Sequence, residues 1–396
     1  MWSDKRQNKT VINYFSSDFK LGVLGGGQLG RMLLTETKKL DIHTAILDNT
    51  LEAPCAKLCD EFHKGDLLNF DDVYNFGKKV DVLTIEIEKV NIDALDKLEA
   101  EGLTIFPKPS SLRIIQNKGT QKQFYFDNKI PTAPFERFEN LEALENKIIN
   151  QKLNFPFVWK SARFGYDGNG VKIVKSIEDL SGLPTDDCLA EDLVPFKNEL
   201  AVIVARNQSG EIKTYPVVEM EFHPEANQVE YVICPARIDE KVAKKAREVA
   251  LQVADAFDFV GLLAVEMFQT HDDEILVNEV APRTHNSGHY SIEASYTSQF
   301  EQHLRSILNL PLGNTDSKVA GVMVNLVGAE GHTGDVIYEN IEKIIAIDGV
   351  SPHIYGKRQT KPFRKMGHVT IVDNDVEIAR KKAQQVKESI KVISNQ

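Results

Sequence analysis

Glu266 and Glu279 are the two residues of this chain whose setting most directly implies chemistry. They lie in two short apolar runs, residues 262–268 and 275–281, with Asp272-Asp273 between them. Such runs on either side of a two-residue turn predict a β-hairpin. With His271 paired to Glu274 and Thr270 to Ile275, counting back along both strands puts Glu266 opposite Glu279 on one face. Opposed residues have Cβ atoms roughly 5 Å apart, and like charges so placed repel unless something positive lies between them. A hard divalent cation fits, because Mg²⁺ takes oxygen ligands and is usually held by one or two carboxylates together with substrate phosphates. The hairpin runs straight on into Arg283-Thr-His285-Asn286.

The remaining candidates are glycine loops and cations. Residues 155–160, ending in Lys160, and residues 171–174 read as strands around Gly165-Tyr166-Asp167-Gly168-Asn169-Gly170. A flap of this kind can close over a polyphosphate through its backbone while the lysine supplies charge. No G-x-x-x-x-G-K-[ST] is present, which excludes a P-loop. Lys118 and Lys122 fall four apart on one face of an expected helix over 110–128, a spacing that a solvated helix face would also produce. Gly25 to Gly30 form a G-x-G-x-x-G between a strand and a helix, where backbone N–H groups can approach a phosphate. Asp48 ends the second strand, about where a dinucleotide-binding fold places its ribose acid, so residues 21–48 alone propose an NAD-dependent dehydrogenase. Glu86 and Glu88 stand at the C-terminal end of another strand, the edge where open α/β sheets bind ligands. Lys357-Arg358 and Arg364-Lys365 make the densest local positive charge.

These residues need a scaffold of more than one domain, and 396 residues provide for two or three. Strands and helices alternate through the first hundred or so positions, which predicts a doubly wound parallel sheet ending near Pro107-Lys-Pro109. Val242, Ala246, Val249, Val253 and Phe257 recur at helical spacing just before the hairpin. A further helix carries Phe300, Leu304 and Ile307, and a linker begins at Pro311. The C-terminal part reads as a small α+β unit, with strands over 322–327, 344–347 and 369–372 and a helix over 376–392. The expected division is a tail over 1–18 and domains over 19–109, 110–312 and 313–396. With 47 basic against 58 acidic residues the net charge is −11, and without a long basic block nucleic acid is a poor partner. No apolar run approaches a membrane span and the first twenty positions lack a secretory pattern, so the cytoplasm is the expected location. Cys55, Cys59, Cys188 and Cys234 lack a paired CxxC and are expected to be reduced and packed.

Taken in order, the motifs resemble a known family. Gly-Gly-Gly-Gln-Leu-Gly-Arg-Met (25–32), Thr-Gln-Lys-Gln (120–123), Ile-Pro-Thr-Ala-Pro (130–134), Gly-Tyr-Asp-Gly-x-Gly (165–170), Asn-Glu-x-Ala-Pro-Arg-x-His-Asn-Ser-Gly-His (278–289) and Arg-Lys-x-Gly-His (364–368) are similar to those of the ATP-grasp enzymes that make N5-carboxyaminoimidazole ribonucleotide in purine biosynthesis. The resemblance implies a Rossmann-like pre-ATP-grasp domain, an ATP-grasp body and a small C-terminal α+β domain. It implies ATP and Mg²⁺ as cofactors, with 5-aminoimidazole ribonucleotide and bicarbonate as substrates of a homodimer. ATP phosphates fall to Lys118 and Lys160, with residues Gly165 to Val171 as the flap. Adenine falls to the backbone of Glu191, Asp192, Leu193 and Val194, the ribose to Glu199, and a nearby place to His223. Asn278 joins Glu279 at the nucleotide, and Glu266 and Glu279 hold the metal. Gln28, Leu29, Glu86, Glu88, Arg364 and Lys365 would bind the ribonucleotide. Arg283, His285, Asn286 and Lys365, with Tyr166 and Asp167 from the flap, would carry the chemistry. Where many members have Arg, this chain has Lys118, which keeps the charge and loses the bidentate fork. The nearest rival in the fold is a formate-using glycinamide ribonucleotide transformylase.

Overall fold

The computed structural model describes residues 13–150, 152–163, 170–223 and 228–395. The first hundred residues form a parallel five-stranded sheet, ordered Glu61–Lys64, His43–Asp48, Lys20–Leu24, Val82–Ile85 and Thr104–Phe106. Its central strands are buried almost throughout, as parallel strands covered by helices on both faces must be. One face packs on the helices Phe70–Gly77 and Ile92–Ala100 through Val73, Phe76, Leu95 and Leu98. The other packs on the helix Gln28–Lys39 and on Phe300, Leu304 and Ile307 of the helix Gln299–Ile307, so an element from far along the chain completes this core.

Two antiparallel sheets build the middle of the chain. The smaller is ordered Phe135–Phe138, Cys188–Asp192, Phe157–Ser161 and Val171–Val174. The larger has nine strands and begins Ile275–Ala281, Gly261–Thr270, Phe196–Arg206, Val218–Phe222, Val229–Cys234. It does not stop at the expected linker. Ala320–Val327 pairs with Val229–Cys234, and Lys365–Asp373 and Val350–Ile354 follow it, so the C-terminal strands extend the same sheet. A three-stranded sheet of Gln359–Thr360, Gly334–Glu339 and Lys391–Ser394 lies beside it.

Three local expectations are corrected. The helix over 110–128 is two helices, Pro109–Ile115 and Lys118–Asp127, because Asn117 is extended and its side chain accepts from the Thr120 N–H, starting a new helix. The strand expected at 344–347 is instead the end of the helix Ile341–Ile345 and the residues just after it, and the next strand begins at Val350. The hairpin turn has three residues rather than two: Thr270 N–H donates to the Glu274 carbonyl, and Asp273 takes a left-handed conformation with φ of 58°. This moves the register near the turn by one, to Gln269 opposite Ile275, and a bulge between Met267 and Glu266 moves it back. Glu266 thus stands opposite Glu279 as expected, by a different route.

Candidate active site

The small sheet and the hairpin face each other across a cleft filled with paired charges. Lys160 and Glu191 are diagonal neighbours on one face of the small sheet, and Lys160 Nζ lies 2.9 Å from Glu191 Oε2. The same carboxylate oxygen lies 3.3 Å from Lys122 Nζ, which also donates to Thr132 Oγ1 at 2.6 Å. Lys122 is 2 % exposed, so the solvated-face reading of the Lys118–Lys122 pair fails for it. Burial pushes Glu191 up, but the two ammonium groups outweigh it and keep its carboxyl below the ordinary value. Burial also drives Lys122 down to about 8, Glu191 only partly opposing it with Lys160 alongside. One carboxylate thus serves two lysines. Glu191 Oε1 is buried and lacks a partner among the described residues.

Lys160 reaches across to the hairpin and donates to Asn278 Oδ1 at 3.0 Å. Lys118, at the start of its helix, is paired with Glu279. That ammonium is the main reason the Glu279 carboxyl is drawn down to about 2. Glu266 faces the opposite fate: burial, then the charges of Glu279 and Glu199, push it up to about 8. Glu199 stands two residues from Ala201, the partner of Glu266, on the same sheet face, and burial pushes it up to about 7. Glu279 keeps 40 % of its side chain exposed, which leaves it open to a ligand. Among the described residues no group of three or more His, Cys, Asp or Glu side chains could hold a metal ion unaided. The facing carboxylates have the oxygen chemistry of a Mg²⁺ site whose remaining ligands would come from phosphate, and Glu266, partly buried beside two other acids, is the group a cation would relieve.

The loop after the hairpin ties this cleft to the other sheets. His285 Nε2 lies 3.2 Å from Glu266 Oε1, and its Nδ1 is 2.9 Å from Ser287 Oγ. Arg283 pairs at 2.9 Å with Glu88, in the loop that follows the strand Val82–Ile85 of the first sheet, while its Nε is buried and without a partner among the described residues. Asn286 and Asn325 exchange amide hydrogen bonds at 2.9 Å each, so the Asn286 amide is engaged with the strand Ala320–Val327. Leu193 and Val194 lie beyond the end of the strand Cys188–Asp192. Gly170 accepts from Ser161 N–H and Val171 pairs with Lys160, which roots the flap beside the lysine. Gly165, Tyr166, Asp167, Gly168 and Asn169 lie outside the described residues. His223 follows the strand Val218–Phe222, its ring 6.3 Å from that of Phe363.

A second cleft, about 340 Å³, opens between the first sheet and the basic C-terminal loops, lined by Gly27, Asp48, Thr50, Lys357, Arg358 and Arg364 among others. Lys357 and Arg358 had only their charge density as a sequence signal. Arg364 lines this cleft, the carbonyl of Lys365 accepts from Lys357 Nζ beside it at 2.7 Å, and the Lys365 charge works to lower the Glu266 carboxyl. The glycine loop differs more sharply from its dinucleotide reading. Glu86 Oε2 accepts from the Leu29 and Gly30 N–H groups at 3.1 Å, and Asp48 Oδ2 accepts from Gly26 N–H at 2.8 Å. A Cβ on Gly27 would lie 2.6 Å from Glu86 Oε1, so the glycine admits a carboxylate of the chain itself. With the Leu29 and Gly30 N–H groups at the helix N-terminus already bonded to the Glu86 side chain, the donors that a cofactor pyrophosphate would use are taken, and the NAD reading falls with them.

Comparison with known proteins agrees with this arrangement. Models of the ribonucleotide synthetase preATP-grasp domain, the ATP-grasp domain and the phosphoribosylaminoimidazole carboxylase C-terminal domain match residues 19–116, 123–300 and 321–382. The chain is 37 % identical over 357 residues to N5-carboxyaminoimidazole ribonucleotide synthase of Bacillus subtilis, covering 89 % of this chain and 91 % of that one. It also matches phosphoribosylaminoimidazole carboxylases but spans only part of them, 64 % in the case of that from Vigna aconitifolia. The crystal structure of N5-carboxyaminoimidazole ribonucleotide synthetase from Thermotoga maritima superposes with a TM-score of 0.87 at 44 % identity, over 95 % of this chain and all of that one. The Aspergillus clavatus synthase in complex with ADP and 5-aminoimidazole ribonucleotide gives 0.84 at 33 % identity, over 94 % and 98 %.

Proposed function

The chain belongs to the N5-carboxyaminoimidazole ribonucleotide synthase family of ATP-grasp proteins, and on that premise we propose that it carboxylates 5-aminoimidazole ribonucleotide with ATP and bicarbonate. The observation that carries this reading is the hairpin itself: Glu266 opposite Glu279, with Lys118 and Lys160 on the nucleotide side and Arg283 and His285 on the other. A relative bound to ADP and the ribonucleotide supports both ligands.

In this reading a bicarbonate oxygen attacks the γ-phosphorus as the bond to ADP breaks. The resulting carboxyphosphate releases phosphate and carbon dioxide, and the amine nitrogen attacks the carbon dioxide and loses a proton. Phosphoryl transfer of this kind depends mostly on positioning and neutralised charge. Lys160, held between Glu191 and Asn278, presents a fixed positive charge to the phosphates. Lys118 exchanges Glu279 for a phosphate oxygen, which frees that carboxylate. Mg²⁺ held by Glu266 and Glu279 would draw charge from the phosphate oxygens. Arg283, anchored by Glu88, has its buried Nε–H available, and His285 is poised beside Glu266. We assign Asp167, with Tyr166, to orienting or deprotonating the amine when the flap closes. Closure excludes water from an intermediate that water destroys. The ribonucleotide phosphate is assigned to the basic cleft at Lys357, Arg358 and Arg364. The domain limits of 109/110 and 312/313 and a homodimer in the cytoplasm belong to the same reading. Among the described residues no helix is long and apolar enough to cross a membrane.

The test is ADP formation with ATP, bicarbonate, the aminoimidazole ribonucleotide and Mg²⁺ each omitted in turn. Turnover should require all four and ignore formate. Stimulation by formate and glycinamide ribonucleotide would replace the proposal with the transformylase.

A further inference from the structure

His285 is presented by a loop, yet a loop is a poor mount for a group that must hold its place within a fraction of an ångström. What holds it comes from another element. Gln299 is the first residue of the helix Gln299–Ile307 and is wholly buried. Its Oε1 accepts from the His285 N–H at 2.8 Å, and its Nε2 donates to the His285 carbonyl at 2.8 Å. The side-chain amide thus copies one rung of a β-ladder against the main chain of this one residue. The same Nε2 lies 2.9 Å from His289 Nδ1, which places an acceptor there and the His289 proton on Nε2. Gln299 N–H donates to Ser291 Oγ at 2.9 Å. The loop can close on the amide because Gly288 has no side chain: a Cβ there would lie 2.6 Å from Gln299 Oε1. The helix is itself immobilised, since Phe300, Leu304 and Ile307 are buried in the core of the first sheet.

We propose that Gln299 is a positioning residue for the carboxylation reaction, its amide holding the backbone of His285 so that the imidazole stays in register with Glu266. The inference rests on the reading above that His285 acts at the reacting centre. Because a shift of about 1 Å in a reacting group can cost on the order of a hundredfold in rate, losing both bonds is expected to matter even with the loop intact.

The test is a double-mutant cycle of Gln299 with His285. Gln299→Met keeps the length and removes every polar contact of the side chain; Gln299→Glu keeps the acceptor for the His285 N–H and loses the amide donor. Relative to the parent, Gln299→Met should lower kcat by roughly 10- to 100-fold with KM for ATP little changed, and Gln299→Glu, which sets a buried carboxylate oxygen against the His285 carbonyl, should lower it at least as far. In a His285→Ala background, adding Gln299→Met should cost no more than about twofold, because a residue that acts through His285 has nothing left to position. Full additivity of the two losses, or a parental kcat in Gln299→Met with only its melting temperature lowered, would overturn the proposal. If Gln299→Met does not fold, the same additivity criterion is applied with Gln299→Glu. A His285→Ala enzyme as fast as the parent would instead sink the assignment of His285, whereas an impaired His285→Ala beside an unimpaired Gln299→Met would sink only the role of Gln299.

Discussion

Replacing Glu191 by Gln should destabilise the ligand-free protein, and the loss should shrink as pH rises. Glu191 is 3 % exposed and its Oε2 lies 2.9 Å from one ammonium and 3.3 Å from another. The amide keeps the shape and removes the charge, leaving two buried ammonium groups with no counterion between them. Removing one partner of a buried ion pair costs about 3–5 kcal/mol, which in a domain of this size lowers Tm by on the order of 10 °C. The pH dependence follows from Lys122, whose folded value is pushed down to about 8 from an ordinary 10.5. Between those values the unfolded chain binds more protons than the folded one, so stability rises with pH, by about 3 kcal/mol across the whole window. In the variant the ammonium has lost its partner, its folded value falls further, and the window opens below pH 8. At pH 9.5 Lys122 is largely neutral in both folded proteins, so its contribution to the penalty is gone. Thermal unfolding of parent and Glu191→Gln, without nucleotide, at pH 7 and 9.5 measures this. A Tm difference that is small at pH 7, or equal at both values, would refute the claim that one carboxylate holds both lysines.

Glu266, pushed up to about 8, behaves in the opposite sense. The folded state holds its proton between the ordinary carboxylate value and about 8, so stability falls as pH rises through that window. Glu266→Gln should therefore gain Tm over the parent at pH 8.5 and not at pH 4.5, while ADP formation drops by about a hundredfold or more, measured by calorimetry and a coupled assay. Gly27→Ala should cost about 1–3 kcal/mol, because its Cβ meets Glu86 and drives that carboxylate from the Leu29 and Gly30 N–H groups; an unchanged Tm would show that Glu86 does not depend on them. Arg364→Ala should raise KM for the ribonucleotide by roughly tenfold and weaken its salt dependence, with KM for ATP unaffected; equal effects on both would place the phosphate elsewhere.

Much of the fold was legible because its signals are local. Alternating strand and helix patterns marked the first sheet, helical spacing of Val242 to Phe257 marked the helix Glu240–Ala256, and the Asn-Glu and Ala-Pro-Arg-x-His motifs marked the family. Even the wrong turn length left Glu266 opposite Glu279, because two half-buried strands could keep their faces only if the bulge restored the register that the longer loop displaced. Other features have no local signature. Nothing around Glu191 announces that it serves Lys122 and Lys160, and nothing in the basic run around Arg364 announces the cleft that it lines with Gly27 and Asp48. Gln299 reads as an ordinary polar residue at a helix start, and Glu86 as a free carboxylate at a strand end. Their roles depend on buried polar groups finding partners, a demand that is met across long stretches of chain and therefore appears only when the chain is folded. The sequence by itself determined which residue types were available, their strands and helices, and the family; the tertiary structure decided which charge each one answers, because in a buried site that choice is made by distance and exclusion of water.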